Sequence, residues 1–225
     1  KLIDINPIKK KLYKFTNLKL NEFQIKNLAM AIIASKLINL KEKQIFNSIK
    51  KIKSINGRLE LIKTFPNKIK VYVDFAHTPD ALFNSLSALK KMHNRNITIV
   101  FGCGGDRDKK KRPLMGKIAS NFCQKIFVTD DNPRSENPKK IRNEIIRNIK
   151  QKDCYSVGDR AKAIKFAILK SGYNEVVLVA GKGHETKQVF KNKTISISDK
   201  EIIKKIKLAK SKKNNRQENF AQNKK

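Results

Sequence analysis

From Gly57 onward the chain alternates between short β-branched apolar runs and longer stretches with helical spacing. The runs at 70–75, 97–101, 125–129, 154–157 and 175–180 predict strands, and those that are apolar throughout read as buried on both faces. The stretches between them predict helices over 79–92, 113–122, 138–150 and 159–171. Strand and helix alternating at this rhythm imply an α/β, doubly wound parallel sheet. Two further strand-like pieces, 188–190 and 194–197, precede a last helix over 199–209. From 210 to 225 almost nothing can be buried, and this basic tail is expected to be disordered.

The first 56 residues read differently. Residues 2–20 are expected as two short strands around a turn at Asn6-Pro7. A helix follows from Glu22, with Phe23, Asn27, Ala31 and Ala34 at i+4 and i+3 spacing beside Leu28, Ile32 and Ile33. A second helix over 41–53 carries Ile45, Ile49 and Ile52 on one face and stops at Ser54-Ile55-Asn56-Gly57. There are too few strands here for a separate sheet, so 1–56 reads as the end of a domain. The chain starts at Lys1 inside a strand-like segment, from which an upstream part is expected.

Formal charge is +33, from 52 Lys+Arg against 19 Asp+Glu. Such an excess brings nucleic acid forward as a partner, and a lysine-rich nucleic-acid-binding α/β domain is the alternative reading. The lysines are spread along the whole chain rather than gathered in a stripe, and aromatics are 7% with no tryptophan. That pattern fits solvated faces better than a stacking platform. A structural domain without activity is a third reading. Three cysteines without C-x-x-C spacing fit a reducing, cytoplasmic setting. No apolar run approaches the roughly 20 residues of a membrane span, so no membrane insertion is expected. No His or Cys spacing points to a bound metal.

Chemistry concentrates at the carboxyl ends of the expected strands, where open parallel sheets bind ligands. Val100-Phe101-Gly102-Cys103-Gly104-Gly105-Asp106-Arg107-Asp108 runs from a strand into a glycine turn, and a helix with Pro113 in its first turn follows. Its glycines either let backbone N–H groups approach an anion or permit positive φ. Neither standard nucleotide loop fits: no Gly-Lys-Ser/Thr closes it, and Arg107 stands where a dinucleotide motif has a small residue. Three other loops fall at the same edge: Asp74-Phe75-Ala76-His77-Thr78-Pro79-Asp80, Thr129-Asp130-Asp131-Asn132-Pro133-Arg134 and Gly181-Lys182-Gly183-His184-Glu185. Arg107, Asn132, Arg134 and Glu185 suit a zwitterion, guanidinium forking onto carboxylate while amide and carboxylate oxygens accept from ammonium. Taken singly, 131–134 is also an Asx-type turn and the two histidines are also ordinary structural residues.

These four loops, with Leu114-Met115-Gly116, resemble the carboxyl-terminal domain of the Mur ligases, and within that family the branch that adds meso-diaminopimelate. The resemblance runs to about Ala209. Phe23-Gln24-Ile25-Lys26-Asn27 resembles the helix closing the family's central ATPase domain, and Gly57-Arg58-Leu59-Glu60 its inter-domain linker. It implies that 1–56 ends the central ATP-binding domain and that 57–209 is the Rossmann-like amino-acid-binding domain. The implied activity is ATP-dependent amide-bond formation in cytoplasmic peptidoglycan precursor synthesis. There, the D-glutamate carboxylate of UDP-N-acetylmuramoyl-L-alanyl-D-glutamate is phosphorylated by ATP and attacked by the amine of meso-diaminopimelate. Carried over residue by residue, Arg107, Asp131, Asn132, Pro133, Arg134, Gly181 and Glu185 hold the amino acid, and Asn27, Arg58, Asp74 and His77 lie near ATP. Lysine-adding relatives usually lack the arginine of Asp131-Asn132-Pro133-Arg134. Asn21 and Gln24 depart from the family's usual glycine and asparagine. No Walker loop, magnesium-binding acid or carbamylated lysine can be matched, so ATP and Mg²⁺ are expected mainly on the upstream part, with the catalytic residues there.

Overall fold

The computed structural model describes residues 4–15, 22–52, 55–150 and 153–208. The strand expected at 16–20, Asn21, Ser54, the tail from 210, and Lys1 as a strand residue lie outside them.

The amino-terminal part is helical. In place of two strands, one helix, α1 (Asn6–Phe15), spans Asn6-Pro7. Proline in a first turn removes only an N–H that has no helical partner, and Asp4 accepts from the Asn6 N–H at 2.9 Å. Ile5, Ile8 and Leu12, at i+3 and i+4 spacing, then face α2 (Glu22–Leu37) and α3 (Glu42–Ile49). On α2 the buried positions are Ile25, Ala29 and Ile32, while Phe23 is 51% exposed. Both faces share one spacing, so packing chose between them by burying the larger aliphatic set. Because α3 ends at Ile49, Ile52 falls off its face and is 38% exposed.

Gly57 leads into β1 (Glu60–Thr64), which the sequence pattern missed. It is an edge strand, antiparallel to β2 (Lys70–Asp74) with a bulge between Leu61 and Lys63, so its polar and apolar positions do not alternate cleanly. The expected alternation follows: α4 (Pro79–His93), β3 (Ile97–Phe101), α5 (Lys111–Phe122), β4 (Lys125–Val128), α6 (Pro138–Ile146), β5 (Cys154–Ser156), α7 (Arg160–Lys170) and β6 (Val176–Ala180). A hairpin of β7 (Lys187–Phe190) and β8 (Lys193–Ser196) leads to α8 (Asp199–Lys205), which stops short of residue 209. Thr78, Asn137, Asp159 and Ser198 cap α4, α6, α7 and α8 with their side chains, which sets each helix start just beyond a loop.

The six strands lie in the order β1-β2-β6-β3-β4-β5, parallel except for β1. Helices α4, α5 and α6 pack on one face through Leu82, Leu86, Met115, Ala119, Ile141 and Ile145. Helices α7 and α8 cover the other through Ala163, Ile164, Ala167, Ile168 and Ile203. β3 and β6 are buried along their whole length, which is why their sequences are apolar runs, interrupted only by the buried Thr98. With β6 between β2 and β3, the chain departs to opposite faces there, and a crevice opens at the strands' carboxyl ends.

At the opposite end of the sheet Tyr72 Oη and His93 Nε2 lie 2.8 Å apart. Burial, then Lys70 and Arg95, hold the His93 imidazolium below its ordinary pKa. A depressed histidine contributes stability that is intact above the unfolded value of about 6.5 and is lost as pH falls through the folded one. The melting temperature should therefore fall more steeply from pH 7.5 to pH 5 in the wild type than in His93→Gln. Parallel melting curves for the two proteins across that range would contradict this assignment.

Candidate functional site

Four loops meet at the crevice. Thr129 donates its N–H to the Phe101 carbonyl at 2.9 Å, and Gly105 donates to the Asn132 carbonyl at 2.9 Å, so the β3 and β4 loops run side by side. Gly181 donates to the Asp74 carbonyl at 3.1 Å, joining the β6 and β2 loops. The turn glycines are there for closeness rather than for positive φ. A Cβ on Gly102 would stand 2.2 Å from the Thr129 carbonyl oxygen, and one on Gly105 would stand 1.9 Å from that of Pro133. The left-handed residues are instead Asp106 (φ 54°) and Arg134 (φ 52°), side chains held in a strained backbone where two loops touch.

A buried arginine latches those loops. Arg112, wholly buried, donates to Glu136 at 2.9 and 3.0 Å, to Glu144 at 2.7 Å and to the Gly104 carbonyl at 3.2 Å. Glu136 also accepts from the Asp106 N–H at 2.7 Å, and its carboxyl is pulled down to about 2, chiefly by Arg112. Asp106 in turn accepts from the Ser135 hydroxyl and N–H, which lower its carboxyl below the usual range. Nothing local in the sequence marks Arg112 for burial.

The result is a cleft of about 450 Å³ bounded by His77, Arg107, Asp131, Arg134, Gly181 and Glu185, with Asn132 in its wall. Pro133 lies behind it, its carbonyl against Gly105. Arg134 extends Nη1 to the carbonyls of Gly105 (2.8 Å) and Asn132 (3.3 Å). The Asn132 amide is held on both sides, donating to Glu185 Oε2 at 3.2 Å and accepting from Lys182 Nζ at 3.2 Å and the Val189 N–H at 3.0 Å. Arg134 donates its own N–H to the Val189 carbonyl at 3.0 Å, so the β7–β8 hairpin straps this loop in place. Arg107, Lys111 and Arg134 line the opening together with Asp108, Asp131 and Glu185, a mixed lining that suits a zwitterion and not a polyanion.

Asn27, Arg58 and Asp74 border a second cleft, of about 390 Å³, between α2 and the end of β2. His77 faces the first cleft, linked to this one through Phe75: the Arg58 guanidinium lies 4.7 Å from the Phe75 ring centre, and the Phe75 and His77 rings meet edge-on at 4.7 Å. Asp74 is buried, which raises its carboxyl. Its oxygens accept from the N–H groups of Leu59 (2.5 Å) and Ala76 (2.7 Å) and from the Ser85 hydroxyl (3.1 Å). It fastens the 57–59 linker through the Leu59 N–H. Among the described residues no three His, Cys, Asp or Glu side chains form a metal-binding group. Nor is any described helix long and apolar enough to cross a membrane.

Residues 57–183 match the family described as Mur ligase, glutamate ligase domain, over more than half of the 225 residues. The chain belongs to the Mur ligase family. Among Mur ligases it is similar to the UDP-N-acetylmuramoyl-L-alanyl-D-glutamate--2,6-diaminopimelate ligase of Rickettsia montanensis, 40% identical over 195 residues, covering 86% of this chain and 40% of that protein. The ligase of the same name from Buchnera aphidicola subsp. Acyrthosiphon pisum is 39% identical, covering 82% and 37%. A solved structure with that name superposes with a TM-score of 0.63 at 33% identity, over 82% of this chain and 38% of that one. The UDP-N-acetylmuramate-alanine ligase of Thermotoga maritima, 19% identical with a TM-score of 0.56, shares the fold. The chain spans about two-fifths of the length of the curated relatives it matches.

Proposed function

We propose that this chain is the amino-acid-binding portion of an ATP-dependent Mur ligase that joins meso-diaminopimelate to UDP-N-acetylmuramoyl-L-alanyl-D-glutamate in the cytoplasm. The observation that carries this is the convergence of two guanidinium groups, Arg107 and Arg134, with two carboxylates, Asp131 and Glu185, on one cleft. Diaminopimelate has a carboxylate and an ammonium at each end, and lysine lacks one of those carboxylates. The arginines receive carboxylate with charge-assisted, forked bonds, and Asp131 and Glu185 receive ammonium. Burial of Asp131 and Asn132 within the strapped loop means that little motion remains to be lost when the ligand binds.

In this reading 57–209 forms the amino-acid-binding domain, and 1–56 closes the ATP-binding domain. The separate core around Leu12, Ile25, Ile32, Phe46 and Ile49 supports that division. ATP, when bound, supplies the phosphoryl group that activates the acceptor carboxylate. On this chain Arg58 and Asn27 are the groups fitted to meet its phosphates, because Arg58 offers a cation and Asn27 an amide at the second cleft.

Calorimetric titration of the chain with meso-diaminopimelate and with L-lysine tests the proposal. Saturable binding of meso-diaminopimelate, at least about tenfold tighter than lysine as one charge-assisted contact provides, is the expected result. Equal affinity for the two, or none for either, would overturn it.

A further inference from the structure

Resting on that reading, we propose that Lys182 is a positioning residue: it orients Asn132 and Glu185 so that one Glu185 oxygen is presented to the ligand's ammonium. Lys182 is wholly buried at the back of the cleft, an expensive place for an ammonium unless it is paired. It closes a triangle. Nζ lies 3.2 Å from Asn132 Oδ1 and 3.0 Å from Glu185 Oε2, and Asn132 Nδ2 donates to the same Oε2 at 3.2 Å.

The triangle determines which way each group faces. Asn132 Oδ1 already accepts from the Val189 N–H at 3.0 Å, and the Lys182 cation on the same oxygen keeps Nδ2 turned toward Glu185. Both donors then converge on Oε2, which leaves Oε1 of a side chain 37% exposed for the cleft. Without the cation, the carboxylate keeps one neutral donor and is free to swing into water. A ligand would then have to order it on binding.

Loop shape does not depend on this lysine. The 181–185 turn is made by its flanking glycines, Gly181 at φ 111° and Gly183 at φ 54°, and by the Glu185 N–H bonded to the Lys182 carbonyl at 2.9 Å. A Cβ on Gly183 would stand 2.8 Å from the Phe75 Cβ, so the turn is wedged against the β2 loop whatever side chain follows Gly181. Methionine matches the length of the lysine stem and fills its place without charge, and the Glu185 partner left behind is not itself buried. Lys182→Met should therefore fold.

The test is a double-mutant cycle on the whole chain, read as calorimetric affinity for meso-diaminopimelate. Lys182→Met should weaken binding roughly ten- to a hundred-fold, as should Glu185→Gln. The double variant should be no weaker than the weaker single variant, because both changes remove one interaction. Multiplying losses would overturn the proposal, as would unchanged affinity in Lys182→Met. If Lys182→Met does not fold, Lys182→Gln takes its place in the same cycle. If the wild type binds no diamino acid, the functional reading fails, and Lys182 is judged by the Asn132 side-chain NH₂ signals in a ¹⁵N-correlated spectrum. A shift of that pair in Lys182→Met supports the orienting role, and an unmoved pair overturns it.

Discussion

Asp199→Ala should lower the melting temperature of this chain by about 6–20 °C. Breaking a buried ion pair by removing one partner typically costs about 3–5 kcal/mol, and each kcal/mol is worth about 2–4 °C at this size. Asp199 opens α8 and receives the Arg160 guanidinium in a fork, Nε to Oδ1 at 2.8 Å and Nη2 to Oδ2 at 2.7 Å, with both side chains fully buried. Arg160 Nη1 is buried without a partner, so loss of the carboxylate would strand a charge already under-satisfied. The same guanidinium donates to the carbonyl of Ala180 at 3.0 Å, at the end of β6 where the cleft loop begins. Two controls identify the cause. Replacing both partners by aliphatic residues of similar size should recover most of the loss. Glu201→Ala, which removes an exposed pair with Lys204, should shift melting by about 2 °C or less. An Asp199→Ala protein melting within 2 °C of the wild type would show that the fork contributes little.

Arg134→Ala should weaken binding of meso-diaminopimelate by roughly ten- to a hundred-fold while changing lysine binding much less. A charge-assisted contact is worth about 1.5–3 kcal/mol, and lysine has no second carboxylate with which to lose it. The structure sharpens what this measurement must separate. Arg134 Nη1 is held by the carbonyls of Gly105 and Asn132, so the side chain also ties the β3 loop to the β4 loop. Those bonds aim the guanidinium and shape the cleft at once. The ratio of the two affinities distinguishes the roles: a changed ratio means that Arg134 reads the carboxylate, and equal losses for both ligands mean that it serves the loop alone.

Lys182 and Arg112 show where reading the sequence stopped. Lys182 stood inside a recognised loop, yet its burial depends on Asn132, 50 positions earlier. Arg112 stood one residue before Pro113, in the first turn of α5, yet its partners Glu136 and Glu144 are 24 and 32 positions away. A lysine or arginine in sequence reads as solvated even with a carboxylate nearby, as Glu185 is to Lys182, because its burial rests on contacts from distant segments. The amino-terminal region failed for a different reason. Asn6-Pro7 serves equally as a turn and as the first turn of a helix, and the packing of Ile5, Ile8 and Leu12 on α2 and α3 decided between them.

By itself the sequence determined what rests on neighbouring residues: the strand and helix alternation after Gly57, the buried character of β3 and β6, most helix starts and the four polar loops at the strand ends. Spacing, capping and proline placement are local and survive any arrangement of the rest. Only the tertiary structure decided the strand order, and with it the site. Insertion of β6 between β2 and β3 sets Gly181 and Glu185 beside Asp131 and Asn132, although some 50 residues separate them. The same assembly closed the glycine turn against Pro133 and buried Arg112, Arg160 and Lys182. The physical reason is that a cation's burial, a glycine's close approach and a loop's neighbour are properties of contacts between distant segments, which exist only once the sheet has assembled.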